Sequence, residues 1–189
     1  ESTYWAPLVA KSQSVRIGML AREDALALIQ EPVTDLVEYD FGIPGGIVRL
    51  TGGHPYYTQV ICQNLIDHLN RVRHNSCDAR DLAAVVDEVI QNPPPQMVYF
   101  WKQRSIEERM VLSLLAENLN DDGASSPAAE VAKAAREYKV EDIVTEKLCS
   151  RVLPVFKADD LLEEAEAGQY RFRIDLFRLR IKRAHSMWQ

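Results

Sequence analysis

Several features that identify common classes of protein are missing from this sequence of 189 residues. No apolar run reaches the length that crosses a membrane, and the N-terminus lacks the pattern of a secretory signal. The only cysteines are Cys62, Cys77 and Cys149, and without a CxxC pair they predict neither a disulfide framework nor a metal site. Cys62 falls on an apolar helical face, where a buried thiol is expected. These absences predict a cytoplasmic protein that makes no membrane contact.

Motifs that carry catalysis are missing as well. The sequence contains no GxxxxGK[ST] phosphate loop and no apolar strand that ends in paired acids for magnesium. It also lacks a GxSxG elbow and an HExxH pair, which leaves little support for a hydrolase that acts alone. We therefore predict no catalytic residue in this chain. Because it begins with Glu1 rather than Met, we expect it to be a piece of a longer protein.

The charge balance is acidic, with 28 Asp and Glu against 22 Lys and Arg and a net charge of −6. Such a balance opposes general affinity for nucleic acid or anionic lipid, although it leaves room for a local basic patch. A hydrophobic content of 47% is ordinary for a globular protein, and the length suits one large domain or two small ones.

In the first half, apolar periodicity and helix breakers predict a helical bundle. Ser14 to Met19 alternates like a short strand. The helices are expected at Arg22 to Gln30, from about Gly45 to Leu50, at Pro55 to Arg73, and at Ala79 to Gln91 with Asp78 as N-cap. Pro93-Pro94-Pro95 predicts a stiff, extended boundary after this bundle.

The second half reads as helix, helix, helix, strand, wing, strand and helix, the order of a winged-helix domain. An entrance helix over Gln96 to Arg104 precedes a capping box at Ser105 and Glu108. The remaining predicted elements are helices opening at Ser126-Pro127 and spanning Val140 to Arg151, strands Val152 to Phe156 and Tyr170 to Ile174, an acidic tip Asp159 to Ala167 between them, and a helix from Asp175 to about Met187.

The chain is organised around Thr51-Gly52-Gly53-His54-Pro55-Tyr56-Tyr57-Thr58-Gln59. Two glycines free the backbone, and Pro55 fits the first turn of the helix that follows. A helix N-terminus of this kind can receive an anion or the edge of a ligand. The alternative is a Gly-Gly turn that only joins two packed helices.

This stretch resembles the lid subdomain of STAND-type AAA+ ATPases, the P-loop switch proteins of bacteria and archaea. Gly53-His54-Pro55 is similar to the Gly-x-Pro element of that group. Ser14-Val15-Arg16-Ile17-Gly18-Met19-Leu20 resembles the last strand of the ATPase core and its exit, and Asp24-Ala25, Leu28-Ile29 and Glu31-Pro32-Val33 resemble the first lid helix. Tyr170-Arg171-Phe172-Arg173-Ile174-Asp175-Leu176-Phe177 is similar to the wing strand and last helix of the winged-helix domain.

The resemblance implies that Gly53, His54, Pro55 and Tyr56 contact ATP or ADP held by a core that this chain does not contain. In the family, the proline of the Gly-x-Pro element lies against the adenine. Two departures from the family pattern stand out. The stretch lacks the arginine that often senses the terminal phosphate, and Ile174 occupies the place of a histidine that contacts phosphate from the winged-helix domain.

His54 and the two tyrosines each allow two interpretations. His54 either reaches a nucleotide phosphate, since histidine changes charge near neutral pH, or it holds the turn through a backbone hydrogen bond. Tyr56 and Tyr57 point about 100° apart on a helix, so only one of them can face a ligand. Tyr57 fits the apolar stripe, which leaves Tyr56 as the candidate. His68, His74 and His185 are expected on the surface or at helix ends.

The last forty residues carry a basic cluster that comprises Arg171, Arg173, Arg178, Arg180, Lys182 and Arg183. It could grip DNA, or it could be a solvated face that balances the acidic tip. We favour the second interpretation because Lys139, Lys147 and Arg151 in the predicted recognition helix are cancelled by Glu141, Asp142 and Glu146.

The sequence thus predicts a mainly α-helical protein with four segments: a lead-in (1–19), a helical lid (20–92), a proline linker (93–95) and a winged-helix domain with a small hairpin wing (96–189). The expected function is that of a regulatory nucleotide switch in signal transduction. The lid and winged helix would couple the ATP or ADP state of the missing core to other domains or protein partners, and a nucleotide-dependent oligomer is compatible with this. The alternative is a DNA-binding transcriptional regulator that uses Arg171, Arg173, Arg178 and Arg180.

Overall fold

The structure of the protein is a computed structural model that describes residues 18–120 and 123–185. The first part of the chain forms helices α1 (Arg22–Gln30), α2 (Ile43–Thr51), α3 (Pro55–Val72) and α4 (Ala79–Gln91), with a 3-10 turn at Glu31–Val33. Two short strands, β1 (Glu38–Tyr39) and β2 (Ser76–Cys77), pair in parallel beside these helices. Both strands lie between the helices that the sequence predicts.

The second part is also mainly helical. It contains helices α5 (Pro95–Lys102), α6 (Ile106–Asn118), α7 (Ala128–Ala134), α8 (Glu146–Ala158) and α9 (Asp175–Ala184). Strands β3 (Ser126–Pro127), β4 (Leu162–Glu166) and β5 (Gln169–Phe172) form an antiparallel sheet in the order β3, β5, β4. None of the helices within the described ranges is long and apolar enough to span a membrane.

The predictions for α1, α3 and α4 are confirmed to within a residue. The stripe Tyr57, Ile61, Leu65 and Leu69 is buried along α3. Asp78 caps α4 by accepting hydrogen bonds from the backbone N–H groups of the first turn. Of the strand predicted at Ser14 to Met19, only Gly18 and Met19 belong to the described residues, and they have no regular secondary structure. The expected end of the last helix near Met187 also lies outside the described residues.

Helix α2 begins earlier than predicted, at Ile43 rather than near Gly45. Gly42 adopts a positive φ of 87°, which turns the chain into the helix, and Pro44 lies in the first turn, where its missing N–H is not needed. A Cβ on Gly46 would lie 3.5 Å from Leu82 of α4. That distance is an ordinary van der Waals contact, so Gly46 does not interrupt the packing of α2 against α4, and treating it as a helix breaker gives the wrong start.

Three predictions in the second part are wrong. Ser126–Pro127, where the sequence predicts the opening of a helix, forms β3, and α7 begins at Ala128. The helix predicted over Val140 to Arg151 begins at Glu146, after the N-cap Thr145, and runs to Ala158. It therefore includes the segment Val152 to Phe156, which was predicted to be a strand. Leu148, Val152 and Phe156 are buried four residues apart, so packing imposes a helical period, and exposed Pro154 is accommodated inside the helix.

The acidic tip is also shorter than predicted, because Leu162–Glu166 forms β4. This strand lies at the edge of the sheet, where only Leu162 is fully buried and the glutamates face outward. Glu163 pairs with Arg171 across the hairpin at 2.7 Å, and Glu164 pairs with Lys157 of α8. Cross-strand charge pairing thus stabilises a strand whose composition predicts a loop.

Helix α9 joins the two parts of the molecule. Its buried residues Leu176, Phe177 and Ile181 belong to one apolar core that continues through both parts. Arg180 donates a hydrogen bond to the Ile90 carbonyl at the end of α4, and Arg183 pairs with Asp87 of α4 at 2.6 Å. The proline boundary between the parts is shorter than predicted, since Pro95 is already the first residue of α5.

Candidate functional site

The turn between α2 and α3 has the backbone that its two glycines predict. Gly52 and Gly53 adopt positive φ angles of 60° and 72°, which side chains other than glycine rarely adopt. The turn is closed by the backbone N–H of His54, which donates to the Thr51 carbonyl at 3.0 Å. Beneath it, the Thr51 and Thr58 hydroxyls share a buried hydrogen bond of 3.0 Å. The turn is therefore fixed from within.

Neighbouring backbone also holds this turn from both sides. The Leu20 N–H, in the segment that precedes α1, donates to the Gly53 carbonyl at 2.9 Å. A Cβ on Gly53 would lie only 2.8 Å from the Leu20 carbonyl oxygen, and a Cβ on Gly52 would overlap the carbonyl group of Arg173, which precedes α9. The glycines thus allow the turn to touch the leading segment and the second part of the molecule at once.

His54 is the N-cap of α3, but its side chain makes no capping hydrogen bond. Its Nδ1 is buried and has no hydrogen-bond partner among the described residues. Burial lowers the pKa of the imidazole, and the opposing effect of Asp160 is smaller. A neutral imidazole with an unused ring nitrogen can exchange a hydrogen bond with a ligand or with water. The ring also lies 4.8 Å from that of Tyr57.

A cavity of about 160 Å³ lies beside His54. It is bounded by three regions: the leading segment, the start of α3, and the second part of the molecule. Its lining residues are Gly18, Met19, His54, Tyr57, Phe100, Asp159, Asp160, Leu161, Ile174 and Phe177. The polar side chains in this set are those of His54, Tyr57, Asp159 and Asp160.

The two carboxylates that line this cavity are held by arginines. Asp159 pairs with Arg104 at 2.8 Å, and Asp160 pairs with Arg173 at 3.1 Å. The Arg104 guanidinium also lies 4.3 Å from the centre of the Phe100 ring, which fixes its position. Each carboxylate at this wall therefore already has a cationic partner.

The predicted binding residues do not all lie at this cavity. His54 lines it, and Gly53 contributes the turn that positions His54. Pro55 is the first residue of α3, and the Tyr56 hydroxyl donates to the Gln96 side chain on α5; neither residue is among those that line the cavity. The lining tyrosine is Tyr57, which the apolar stripe had assigned to the core.

Tyr57 shows that membership of the apolar stripe does not decide whether a residue lines the cavity. It is 5% exposed and packs edge-on against Phe177 of α9, with ring centroids 5.5 Å apart. It is thus both a core residue and part of the cavity wall. Ile174, which stands where the STAND pattern has a histidine, also lines the cavity and is 4% exposed. No sequence signal marks Phe100 or Phe177 for the same site.

The basic cluster is fully engaged within the protein. Arg171, Arg173 and Arg183 pair with Glu163, Asp160 and Asp87 respectively. Arg178 forms a buried ion pair with Asp175, Arg180 binds the Ile90 carbonyl, and Lys182 donates to the Leu119 carbonyl at 3.0 Å. Each of the six side chains therefore already has an acceptor in the folded chain.

The three cysteines, His68 and His74 are the remaining titratable candidates. Cys77 and Cys149 are buried, whereas Cys62 is only half-buried, less than predicted. Burial raises the pKa of Cys62 and of Cys149 to about 11, so both thiols are protonated at neutral pH. His74 is exposed and His68 is half-buried, and both converge on Asp81, at 3.7 and 3.0 Å respectively. Within residues 18–120 and 123–185, no group of three or more such side chains is arranged to hold a metal.

Comparisons with protein-family models, with curated proteins and with solved structures give no match to this chain.

Proposed function

We propose that this chain is the lid and winged-helix region of a P-loop nucleotide switch, whose nucleotide-binding core is a separate segment. The observation that carries the proposal is the Gly52-Gly53-His54 turn, which contacts the leading segment through Leu20 and the second part through Arg173. A turn in this position can respond to a ligand on one side and transmit the response to the other. The cofactor would be ATP or ADP, held mainly by the core.

The second part supports this proposal through its topology. Its order is α6, β3, α7, α8, β4, β5, α9, and β5 lies between β3 and β4. This order is compatible with a winged-helix domain in which α8 takes the place of the third helix and the β4–β5 hairpin that of the wing. In the proposed switch, the domain serves as the body that moves relative to the lid.

Helix α9 supplies the proposed coupling between the two bodies. Its contacts with the first part include the Tyr57–Phe177 ring pair, the hydrogen bond from Arg180 to the Ile90 carbonyl and the ion pair of Arg183 with Asp87. A nucleotide that contacts the turn only in the docked arrangement would therefore favour docking, since a ligand shifts a conformational equilibrium through its differential affinity.

Protein partners suit the second part better than DNA. A winged helix that binds DNA needs free cations to neutralise phosphates, and four of the six basic residues at the C-terminal end, Arg171, Arg173, Arg178 and Arg183, are paired with carboxylates. The proposed partners are other domains of the same protein or separate signalling proteins, in a cytoplasmic setting that agrees with three free thiols. A nucleotide-dependent oligomer is compatible with this role.

The test is amide hydrogen exchange on the full-length product of the gene, loaded with ADP or with a non-hydrolysable ATP analogue. We expect the protection of α9 and of the residues 51–54 turn to differ between the two states. Helix α7 is the internal control, because it packs within the second part, and its protection should stay the same. Identical exchange of α9 in both states would contradict the proposal, and so would a full-length sequence without a phosphate loop.

A further inference from the structure

A second cavity, of about 190 Å³, lies between α5 and α9. It is separate from the cavity at His54 and shares only Phe177 with it. Its lining residues are Pro93, Met97, Val98, Trp101, Lys102, Phe177, Arg180, Ile181 and His185. A dry apolar cavity of about 150 Å³ is large enough to hold benzene, so this space can accept a ring with a short substituent.

The floor of this cavity is apolar and well ordered by packing. Met97 and Ile181 are 3% and 1% exposed, and they belong to the core. Trp101 stacks on His185 with ring centroids 4.4 Å apart and an angle of 14° between the planes. The carbonyl of His185 accepts a hydrogen bond of 3.0 Å from Ser113 of α6, which fixes the end of α9. The apolar walls are thus held in place rather than formed by exposed loops.

Positive charge is concentrated around this apolar space. Arg180 and Lys102 line it, and the Arg109 guanidinium lies 5.8 Å from the centre of the Trp101 ring. Arg109 donates to the carbonyls of Trp101 and Lys102, and Arg180 donates to that of Ile90. Among residues 18–120 and 123–185, no carboxylate pairs with any of these three cations. Burial lowers the pKa of Arg180, and burial followed by the charges of Arg180 and Arg109 lowers that of His185.

The contrast with the neighbouring arginines is informative. Arg178 and Arg183 lie on the same helix as Arg180, and both have carboxylate partners. Arg180 is the member of this series that reaches an apolar cavity and receives only a neutral carbonyl. A buried or half-buried cation that lacks a counter-charge attracts an anion, and the attraction is stronger away from bulk water.

We propose that the cavity between α5 and α9 binds a small amphipathic carboxylate, with its apolar body against Met97, Val98 and Ile181 and its carboxylate near Arg180 and Lys102. The ligand class follows from the charge and the size of the cavity, and it is independent of any nucleotide. Because α5 follows the proline boundary and α9 contacts both parts, such a ligand would stabilise the docked arrangement of the two parts.

Calorimetric titration with benzoate tests the proposal, and benzyl alcohol serves as the neutral probe of similar size. We expect benzoate to bind the full chain saturably at concentrations up to about 10 mM, where a millimolar site fills. Benzyl alcohol should bind at least about tenfold more weakly, a difference of about 1.4 kcal/mol. Absence of saturable benzoate binding, or equal affinity for the two probes, would overturn the proposal.

Variants locate the binding. Arg180→Gln removes the charge, and it should weaken benzoate binding about tenfold or more. Lys102→Gln, on an exposed side chain, should weaken it in the same direction without a risk to folding. Arg183→Gln is the matched control on the same helix outside this cavity, and it should leave benzoate affinity unchanged.

A cavity-filling variant and a tail variant complete the test. Val98→Phe should abolish benzoate binding while the chain remains folded by circular dichroism; unchanged binding would place benzoate elsewhere and overturn the proposal. The chain end carries Met187 and Trp188, which lie outside the described residues. Binding that occurs only after Met187→Ser and Trp188→Ser substitution would show that the chain's own end fills the cavity, and this would also overturn the proposal.

Discussion

Substitution of Gly52 by alanine is the most direct perturbation of the turn that joins the two parts. Two costs are expected. Alanine at a φ of 60° is disfavoured by about 1–2 kcal/mol. In addition, its Cβ would overlap the carbonyl group of Arg173, with the carbonyl carbon at 2.9 Å, and forcing backbone apart in a packed region costs about 1–3 kcal/mol. The free energy of unfolding should therefore fall by about 2–5 kcal/mol.

Gly42→Ala is the matched control for this experiment. Gly42 also has a positive φ, 87°, but a Cβ there would meet no atom within 4 Å. Its cost should be only the backbone term of about 1–2 kcal/mol. Both free energies come from urea denaturation, and each kcal/mol should lower the melting temperature by about 2–4 °C in a chain of this size. If Gly52→Ala is no more destabilising than Gly42→Ala, the added Cβ meets no obstacle. This result would contradict the close approach of the turn to the Arg173 carbonyl.

Three further predictions follow from the site and the charges. The chain alone should release no phosphate from ATP; steady release above a buffer control that is lost on mutating a residue of the chain would contradict this. It should not bind duplex DNA in a sequence-dependent way near physiological salt, and a specific gel shift would show otherwise. Because burial lowers the pKa of His54 below its unfolded value of about 6.5, the unfolded state binds the proton more readily, so His54 contributes a loss of stability as the pH falls from about 6.5 through the lower, folded pKa. Urea titrations at about pH 7.5 and about pH 5.5 should show a smaller acid-induced loss in His54→Gln than in wild type, and an equal loss would contradict the assignment.

Much of the fold could be predicted because local chemistry and tertiary packing agree there. Asp78 caps α4, and the stripe from Tyr57 to Leu69 gives α3 its buried face. The sequence gives a wrong element where tertiary packing overrides the local preference of a residue. Pro154 suggests a break, yet the segment continues as α8 because Val152 and Phe156 share one buried face.

The site was less predictable than the fold. His54 and Gly53 could be selected from their own sequence context, since the Gly-Gly-His-Pro order predicts a tight turn before a helix. Phe100 and Phe177 lie far from that turn in sequence, and only the packing of α5 and α9 brings them to the cavity. The apolar stripe assigns Tyr57 to the core and leaves Tyr56 as the ligand-facing candidate. A side chain at the edge of a core can also line a cavity, and Tyr57 does both.

The charge balance of the basic cluster could be predicted from the sequence, but its individual partners could not. The excess of acids over bases predicts that a basic cluster is balanced within the protein, but it cannot indicate the partners. The structure supplies them as Asp87, Asp160, Glu163 and Asp175, and it leaves Arg180 and Lys182 with backbone carbonyls and no carboxylate among the described residues. The Asp175–Arg178 pair is local to α9, whereas the partners of Arg180 and Arg183 depend on how α9 docks on α4.

The measurement that tests the proposed nucleotide switch most directly is the ADP affinity of the full-length protein, compared between wild type and Pro55→Ala. Pro55 begins α3, so alanine should cost this chain only about 1 kcal/mol or less and leave it folded. We expect the full-length wild type to bind ADP and the variant to bind it about tenfold more weakly, which corresponds to about 1.4 kcal/mol. A full-length protein that binds no ADP, or equal affinity in the two proteins, would contradict the assignment of this turn as a nucleotide element.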